Sequence, residues 1–226
     1  MGMRMAGYGA VDRTVSVPFR FDGHLMTGHP GDTLASALMA NGVTLMARSF
    51  KYHRPRGVMT AGSEEPNALV EIGEGAARVP NVRATVQELH EGLVAHSQNA
   101  WPALGLDLLA VNDLAAPFLS AGFYYKTFMW PRGFWEKVYE PAIRRAAGLG
   151  SFAREAEPLD YEKAFASCDL LVVGAGPAGL MAALAGAEAG ADVILAEEGT
   201  ALGGRLLAEA EEVGGQPAAA WAAETA

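Results

Sequence analysis

The N-terminal part of the chain contains short runs in which apolar and polar positions alternate. In the first run the apolar positions are Val15, Val17, Phe19 and Phe21. This period of two is typical of a strand that packs one face against a core. Asp22-Gly23 then predicts a tight hairpin turn, with residues 24–27 as the returning strand. The region is therefore expected to begin with a β-hairpin.

The pattern changes to a helical period after the hairpin. Gly31-Asp32-Thr33 offers Asp32 or Thr33 as the N-cap, and Asn41-Gly42 ends the helix. The apolar residues on one predicted helix face are Leu34, Ala35, Leu38 and Met39. Further strands are predicted over residues 43–46, 68–72 and 82–89. This order predicts a β-grasp module over residues 13–95, after a disordered segment at residues 1–12.

Residues 97–141 are rich in Trp, Tyr, Phe and Pro but show no regular period. Such a segment is expected to wrap over other surfaces instead of building its own core. It either lines a cofactor cavity or forms an interface arm, and the arm is favoured because aromatic residues are enriched at interfaces. A helix predicted over residues 134–147 exposes Lys137, Arg144 and Arg145. With a linker at residues 148–160, this intermediate region occupies residues 96–160.

Residues 169–198 carry the most regular succession of elements in the chain. A buried apolar strand over residues 170–173 leads into a glycine turn and a helix, and a second strand follows over residues 193–196. The turn glycines are Gly174, Gly176 and Gly179, and the apolar helix positions are Leu180, Leu184 and Ala187. This is the order of a dinucleotide-binding βαβ unit.

Each glycine of the turn meets a separate steric demand. Gly174 lets the chain reverse out of the strand, Gly176 leaves room for a pyrophosphate, and Gly179 lets the helix pack close to the sheet. Pro177 fits the first helical turn, whose free N–H groups and partial positive charge favour an anion. Glu197 ends the second strand, where a carboxylate accepts hydrogen bonds from an adenosine ribose and repels a 2′-phosphate. The expected ligand is therefore NAD or FAD, and not NADP.

A Gly-Gly pair beyond Glu197 resembles the second glycine motif of flavoprotein-type proteins with two dinucleotide-binding domains. The complete set of candidate cofactor-binding residues is Gly174, Gly176, Pro177, Ala178, Gly179, Glu197, Glu198, Gly203, Gly204 and Arg205. Their domain, residues 161–226, is expected to be incomplete, because a parallel βαβ pair cannot cover both faces of its sheet. A purely structural glycine turn is the alternative that the motif leaves open.

Composition and charge exclude several classes of function. The single cysteine, Cys168, excludes an internal disulfide and a four-thiolate iron–sulfur cluster supplied by this chain alone. The net charge of −9, concentrated towards the C-terminus, argues against non-specific nucleic-acid binding. No apolar run is long enough to span a bilayer, and the N-terminus does not resemble a secretory signal. The cytoplasm is the expected compartment.

A basic loop over residues 48–56 has two interpretations. It contains Arg48, Lys51, Arg54 and Arg56 without an acid, interleaved with Tyr52 and His53. The loop could grip a phosphate or the acidic face of a partner, or it could simply be solvated; binding is favoured because aromatic residues beside arginine are common at recognition surfaces. Glu64-Glu65 is expected to be a solvated turn. No catalytic triad or metal-ligand spacing is found, so no catalytic residue and no metal ligand is assigned.

Several strings, taken together, resemble the alpha subunits of heterotetrameric sarcosine oxidases. They are GDTLASAL at 31–38, RSFKYHRPRG at 48–57, GSEEPNA at 62–68, SQN at 97–99, GFYYKTFMWP at 122–131 and GAGPAG at 174–179. The first module is also similar to plant-type ferredoxins, whose cluster-binding cysteines are missing here. The resemblance implies an α+β and α/β fold: a ferredoxin-like β-grasp module without cluster cysteines, then the first βαβ unit of a Rossmann-type FAD/NAD(P)-binding domain.

The resemblance also implies a function. This family converts sarcosine, O2 and tetrahydrofolate to glycine, H2O2 and 5,10-methylenetetrahydrofolate, with NAD in the alpha Rossmann domain and FAD and FMN in the assembled enzyme. It implies beta, gamma and delta partner subunits. No iron–sulfur cluster, nucleic acid or membrane is expected, because of the missing cysteines, the acidic charge and the lack of a long apolar run. Because alpha subunits are several times longer, the chain is expected to be a fragment that is inactive and aggregation-prone alone. The alternatives are a subunit of an opine dehydrogenase or cyanide synthase type flavoenzyme, and a non-catalytic assembly module.

Overall fold

The computed structural model describes residues 3–5, 7, 9, 11–123, 128, 130–146, 150, 153–156, 160–199, 201–207, 209 and 211–226, without the side chains of residues 145 and 146. The chain divides into two compact units, residues 1–159 and 160–226. Each unit has its own cluster of buried apolar side chains.

A five-stranded sheet organises the first unit. The elements in chain order are β1 (Val17–Phe21), β2 (His24–Gly28), α1 (Leu34–Ala40), β3 (Ala47–Arg48), β4 (Pro55–Arg56), β5 (Leu69–Ile72), β6 (Val79–Arg83) and β7 (Val94–Ser97). The strand order is β2-β1-β7-β5-β6, with β1 parallel to β7 and the other neighbours antiparallel. Strands β3 and β4 pair in a separate two-stranded ribbon. The predicted β-grasp arrangement is confirmed.

The first hairpin follows from the alternation of its residues. Phe19 and Phe21 are buried in the core of the unit, while Arg20 between them is exposed. Asp22 and Gly23 form the turn with φ values of 48° and 79°, a left-handed conformation that Asp and Gly tolerate better than most residues. The predicted turn is therefore confirmed.

Helix α1 begins and ends where the sequence predicts. The Thr33 hydroxyl caps the helix by accepting from the Ser36 N–H, and the Ser36 hydroxyl accepts from the Thr33 N–H in return. The buried residues are Leu34, Ala35, Ala37 and Leu38. Met39 was predicted on the buried face, but 39% of it is exposed. Ala37, which was not predicted there, is fully buried in the core.

Two of the other predicted strands are displaced. Residues 43–46 form no strand, and β3 begins only at Ala47. The strand predicted over residues 82–89 ends at Arg83. The backbone beyond it bonds to the first turn of α1 instead of to a neighbouring strand. The Ala84 carbonyl accepts from the Ala35 N–H, and the Gln87 carbonyl accepts from the Leu34 N–H. Sequence reasoning missed β7, the central strand between β1 and β5.

Between β7 and residue 146, the described residues include a 3-10 helix, a π-helix and an α-helix. A 3-10 helix spans Leu108–Ala115, and a π-helix at Trp135–Tyr139 runs directly into α2 (Glu140–Ala146). Lys137 and Arg144 of the predicted helix are exposed, as expected. The side chain of Arg145, residue 147, and most of the aromatic string at residues 124–129 lie outside the described residues.

The second unit contains the predicted strand–helix–strand order. Its elements are β8 (Leu170–Val173), α3 (Pro177–Glu188), β9 (Val193–Ala196), β10 (Glu212–Val213), β11 (Gln216–Pro217) and α4 (Ala218–Thr225). Strands β8 and β9 are parallel and in register from Leu170↔Val193 to Val173↔Ala196. The alanine-rich end of the chain folds as α4 and contributes to the buried cluster of Ala175, Leu180, Leu206, Ala218 and Ala222.

Strand β8 is less buried than its composition predicts. Within the described residues Val172 alone of its four is buried, while Leu171 is 57% and Val173 is 80% exposed. On α3, Leu180 is buried, Leu184 is half-buried and Ala187 is exposed. The expectation of a buried strand is therefore wrong for the chain as described here.

Candidate functional site

The glycine turn between β8 and α3 is the centre of the candidate site. Gly174 has a φ of 95°, which only glycine adopts without strain, and Gly176 is the N-cap of α3 in an ordinary extended conformation. A Cβ added at Gly179 would lie 1.8 Å from the carbonyl oxygen of Gly174, whereas one added at Gly176 would meet no described residue within 4 Å apart from its chain neighbours. Gly179 is thus required by packing, and Gly176 faces open space.

The start of α3 offers donors to a ligand. Pro177 is the first helical residue, and no side chain among the described residues caps this end. The free N–H groups and the partial positive charge of the first turn are suited to a pyrophosphate. Ala178, in the same turn, is exposed.

Glu197 lies beside the turn at the end of β9. Its Oε2 accepts from the Ala175 N–H at 2.6 Å and its Oε1 accepts from the Gly199 N–H at 2.9 Å. Hydrogen bonds from Gly199 and Ala175 hold the pKa of Glu197 below its ordinary value, so the side chain is a carboxylate at neutral pH. An anion is therefore fixed beside the glycine turn, as a ribose site of this type requires.

The Gly-Gly pair packs against the turn from another side. The Gly203 N–H donates to the Ala175 carbonyl at 2.8 Å, and a Cβ added at Gly204 would lie 3.0 Å from the Cα of Gly176. Both glycines have positive φ, 124° and 54°. The two glycine motifs are thus brought into direct contact, which their separation in sequence does not show.

The remaining predicted residues lie at the rim. Glu198 is exposed, and Arg205 is exposed with its Nε donating to Glu209 at 2.6 Å. The turn, Glu197 and the Gly-Gly pair therefore fit a dinucleotide sterically and chemically, whereas the assignment of Glu198 and Arg205 stays a prediction.

A buried carboxylate that the sequence did not indicate lies in the first unit. Glu65 was expected in a solvated turn, but it is 1% exposed, whereas its neighbour Glu64 is exposed as predicted. Its oxygens accept from four backbone N–H groups: those of Met59 and Thr60 at 2.7 Å, Asn67 at 2.6 Å and Ala68 at 3.1 Å. Burial alone would raise the pKa of Glu65, but these four donors hold it below its ordinary value.

Neither a metal site nor a membrane span is found in the part of the chain that the structure describes. Among the residues described, no group of three His, Cys, Asp or Glu side chains is arranged to hold a metal ion. No helix in these ranges combines the length and apolarity needed to cross a membrane.

Comparison with protein families gives two matches. Residues 14–100 match the family described as a 2Fe-2S iron-sulfur cluster binding domain, and residues 169–223 match the family described as FAD dependent oxidoreductase. The first matched range contains no cysteine, since the one cysteine of the chain is Cys168. Iron–sulfur clusters of this type are held by cysteine thiolates, so these residues do not fit the cluster.

Comparison with individual proteins points to one kind of enzyme. The chain is 60% identical over 98% of its length to sarcosine oxidase subunit alpha from Rhizobium meliloti, and 34% identical over 93% to the same subunit from a Corynebacterium species. It spans 22% and 17% of those two proteins. Among solved structures, L-proline dehydrogenase from P. horikoshii aligns with a TM-score of 0.48 at 18% identity, over 95% of this chain and 31% of its own. The chain is therefore a homologue of the sarcosine oxidase alpha subunits and corresponds to about one fifth of their length.

Proposed function

We propose that the chain is part of the alpha subunit of a sarcosine oxidase and that its second unit holds NAD. The observation that carries the first part is the 60% identity, which extends over both units. The assembled enzyme would oxidise sarcosine with O2 and tetrahydrofolate to glycine, H2O2 and 5,10-methylenetetrahydrofolate. FAD and FMN would be held elsewhere in that assembly.

The proposed role of the second unit is to bind and orient a dinucleotide. The pyrophosphate would pass over Gly176, where a side chain would obstruct it, and receive hydrogen bonds from the first turn of α3. Glu197 would accept from the adenosine ribose hydroxyls with the lone pairs that Ala175 and Gly199 leave free. A bound nicotinamide dinucleotide supplies hydride-transfer chemistry. No described residue of this unit is proposed to contact the substrate amine.

FAD is the second candidate for the same site. It is favoured by the match of residues 169–223 to FAD dependent oxidoreductases. Glu197 accepts from the adenosine ribose of either cofactor, so the carboxylate alone does not discriminate between them. We prefer NAD because FAD and FMN are expected elsewhere in a sarcosine oxidase.

The first unit is proposed to contribute to assembly with beta, gamma and delta subunits. Its 3-10 helix and the flanking residues expose Leu106, Val111, Leu114 and Phe118 to between 61% and 82%. Large apolar side chains grouped in one exposed segment are typical of surfaces that another protein covers. We therefore propose that another subunit covers the 3-10 helix and its flanking residues.

Activity is tested with the full-length gene product co-expressed with its neighbouring subunits. We expect sarcosine-dependent oxygen consumption with formation of glycine and H2O2, and formation of 5,10-methylenetetrahydrofolate when tetrahydrofolate is present. Turnover of an opine or release of cyanide from glycine, without activity on sarcosine, would contradict the proposal. An assembled complex without any amine oxidation would instead favour a non-catalytic module.

A further inference from the structure

The basic loop forms a hairpin that is fastened to another segment of the first unit. Strands β3 and β4 pair at Ala47↔Arg56 and Arg48↔Pro55, with residues 49–54 as the tip. We call residues 47–56 the basic hairpin and residues 101–119 the strap. Four side chains of the hairpin bond to the strap.

Asp107 of the strap is the centre of this contact. Its side chain is fully buried, and its Oδ1 accepts from the Trp101 N–H at 3.0 Å and the Leu109 N–H at 3.1 Å. Its Oδ2 lies 2.8 Å from Nδ1 of His53 and 3.6 Å from Nε of Arg48. The Asp107 carboxylate thus bonds to two backbone N–H groups of the strap and contacts two side chains of the hairpin. The positive charge of Arg48 lies close enough to balance its negative charge.

His53 is held in this position at an energetic cost. It is 2% exposed, its φ is 54°, and its Nε2 has no hydrogen-bond partner among the described residues. Both the left-handed backbone and a buried ring nitrogen without a partner are unfavourable for histidine. Glycine adopts this φ without steric cost, so the turn by itself does not require a histidine. The feature that histidine provides and glycine lacks is the hydrogen bond from its ring to Asp107.

The other contacts involve the remaining cationic and aromatic side chains of the hairpin. Arg48 donates from Nε to the Leu104 carbonyl at 3.0 Å, and the Tyr52 hydroxyl donates to the Leu119 carbonyl at 2.8 Å. Arg54 lies over the Tyr52 ring, 4.7 Å from its centroid, and pairs with Asp113 at 3.2 Å. Arg48 and Arg54, two of the four basic residues of the hairpin, are therefore bonded within the chain. A third, Lys51, lies over the rings of Tyr52 and Phe123, 4.9 and 5.0 Å from their centroids.

We propose that the basic hairpin is an internal clasp for the strap and not an anion-binding loop. The clasp fixes residues 101–119 onto the basic hairpin through side-chain hydrogen bonds, in addition to the local backbone bonds of the 3-10 helix at Leu108–Ala115. It also holds the exposed apolar side chains of the strap, such as Leu114 and Phe118, in one arrangement. On this proposal the loop binds the strap, and it is not a site for a phosphate or for an acidic partner.

The test compares His53→Asn with Arg54→Ala in the full chain, by amide hydrogen exchange. Asparagine eases the backbone of residue 53 but lacks the imidazole that reaches Asp107. We expect exchange at the Trp101 and Leu109 amides to accelerate at least about tenfold, because the carboxylate that accepts both is loosened. Arg54→Ala removes an ion pair whose side chains are 58% and 51% exposed, together with the contact to the Tyr52 ring, but leaves the bonds to Asp107 intact. It is therefore expected to change these amides by less than about threefold. Exchange in residues 160–226 should not change.

A second variant keeps the test decisive if His53→Asn does not fold. Tyr52→Phe removes only the hydroxyl bonded to Leu119 and should accelerate exchange near residue 119 by roughly two- to tenfold. Unchanged or slower strap exchange in both variants would overturn the proposal. Saturable binding of inorganic phosphate to the wild-type chain, abolished by Lys51→Ala, would overturn it in favour of an anion site.

Discussion

Replacing each of two glycines of the turn by alanine separates packing from ligand binding. In Gly179→Ala the new Cβ would lie 1.8 Å from the Gly174 carbonyl oxygen, a backbone atom that cannot rotate away. Strain of this kind costs about 3 kcal/mol, more than the roughly 1 kcal/mol that alanine gains over glycine inside a helix. In Gly176→Ala the Cβ meets no atom of the described residues within 4 Å apart from its chain neighbours, and the φ of −68° suits alanine. Its expected cost is below about 1 kcal/mol, from the N-cap.

The assay measures the free energy of unfolding in urea and the nucleotide released on denaturation, for the wild type and both variants. We expect Gly179→Ala to be destabilised and to lose nucleotide as a consequence. Gly176→Ala should retain its stability and still lose nucleotide, by at least about tenfold in affinity, because its methyl group occupies the space of the pyrophosphate. Normal nucleotide content in Gly176→Ala would show that the pyrophosphate does not lie over Gly176. A normal free energy of unfolding for Gly179→Ala would show that a Cβ is tolerated beside the Gly174 carbonyl.

Three further predictions concern carboxylates. Glu65→Gln should lower the free energy of unfolding by about 3 kcal/mol, since an amide NH2 would face backbone donors, whereas Glu64→Gln at the exposed neighbour should be neutral in the same urea titration. The pKa of Glu65 is lowered in the folded state, so its stabilisation is present above its ordinary value of 4.5 and is lost as the pH falls below it. In an acid titration, the difference in the free energy of unfolding between wild type and Glu65→Gln should therefore shrink below that pH. Glu197→Ala should weaken nucleotide binding at least about tenfold in equilibrium titration, and unchanged affinity would remove Glu197 from the site.

Elements specified by neighbouring residues were predicted well. The Asp22-Gly23 turn and the cap at Thr33 depend on residues within a few positions of each other, and their observed geometry follows the expectation. Strands β8 and β9 were also predicted at their observed bounds, because a continuous apolar run beside a glycine turn is a local signal.

Features that depend on distant partners were missed. Strand β7 has a short, mixed sequence and is identified by its pairing with β1 and β5, which the sequence does not display. Asp107 gave no signal because its partner His53 is 54 positions away. The burial of Glu65 depends on a loop that folds back to supply four N–H donors. In each case the deciding contact is made only after the chain has folded.

The central claim is that the glycine turn and Glu197 hold NAD. The most direct test is denaturing release and mass identification of nucleotide from the full-length gene product, purified with its co-expressed subunits. We expect the wild-type protein to release NAD in a constant molar ratio to the chain, and the Gly176→Ala protein to release none. Release of flavin alone, or NAD that persists in Gly176→Ala, would contradict it.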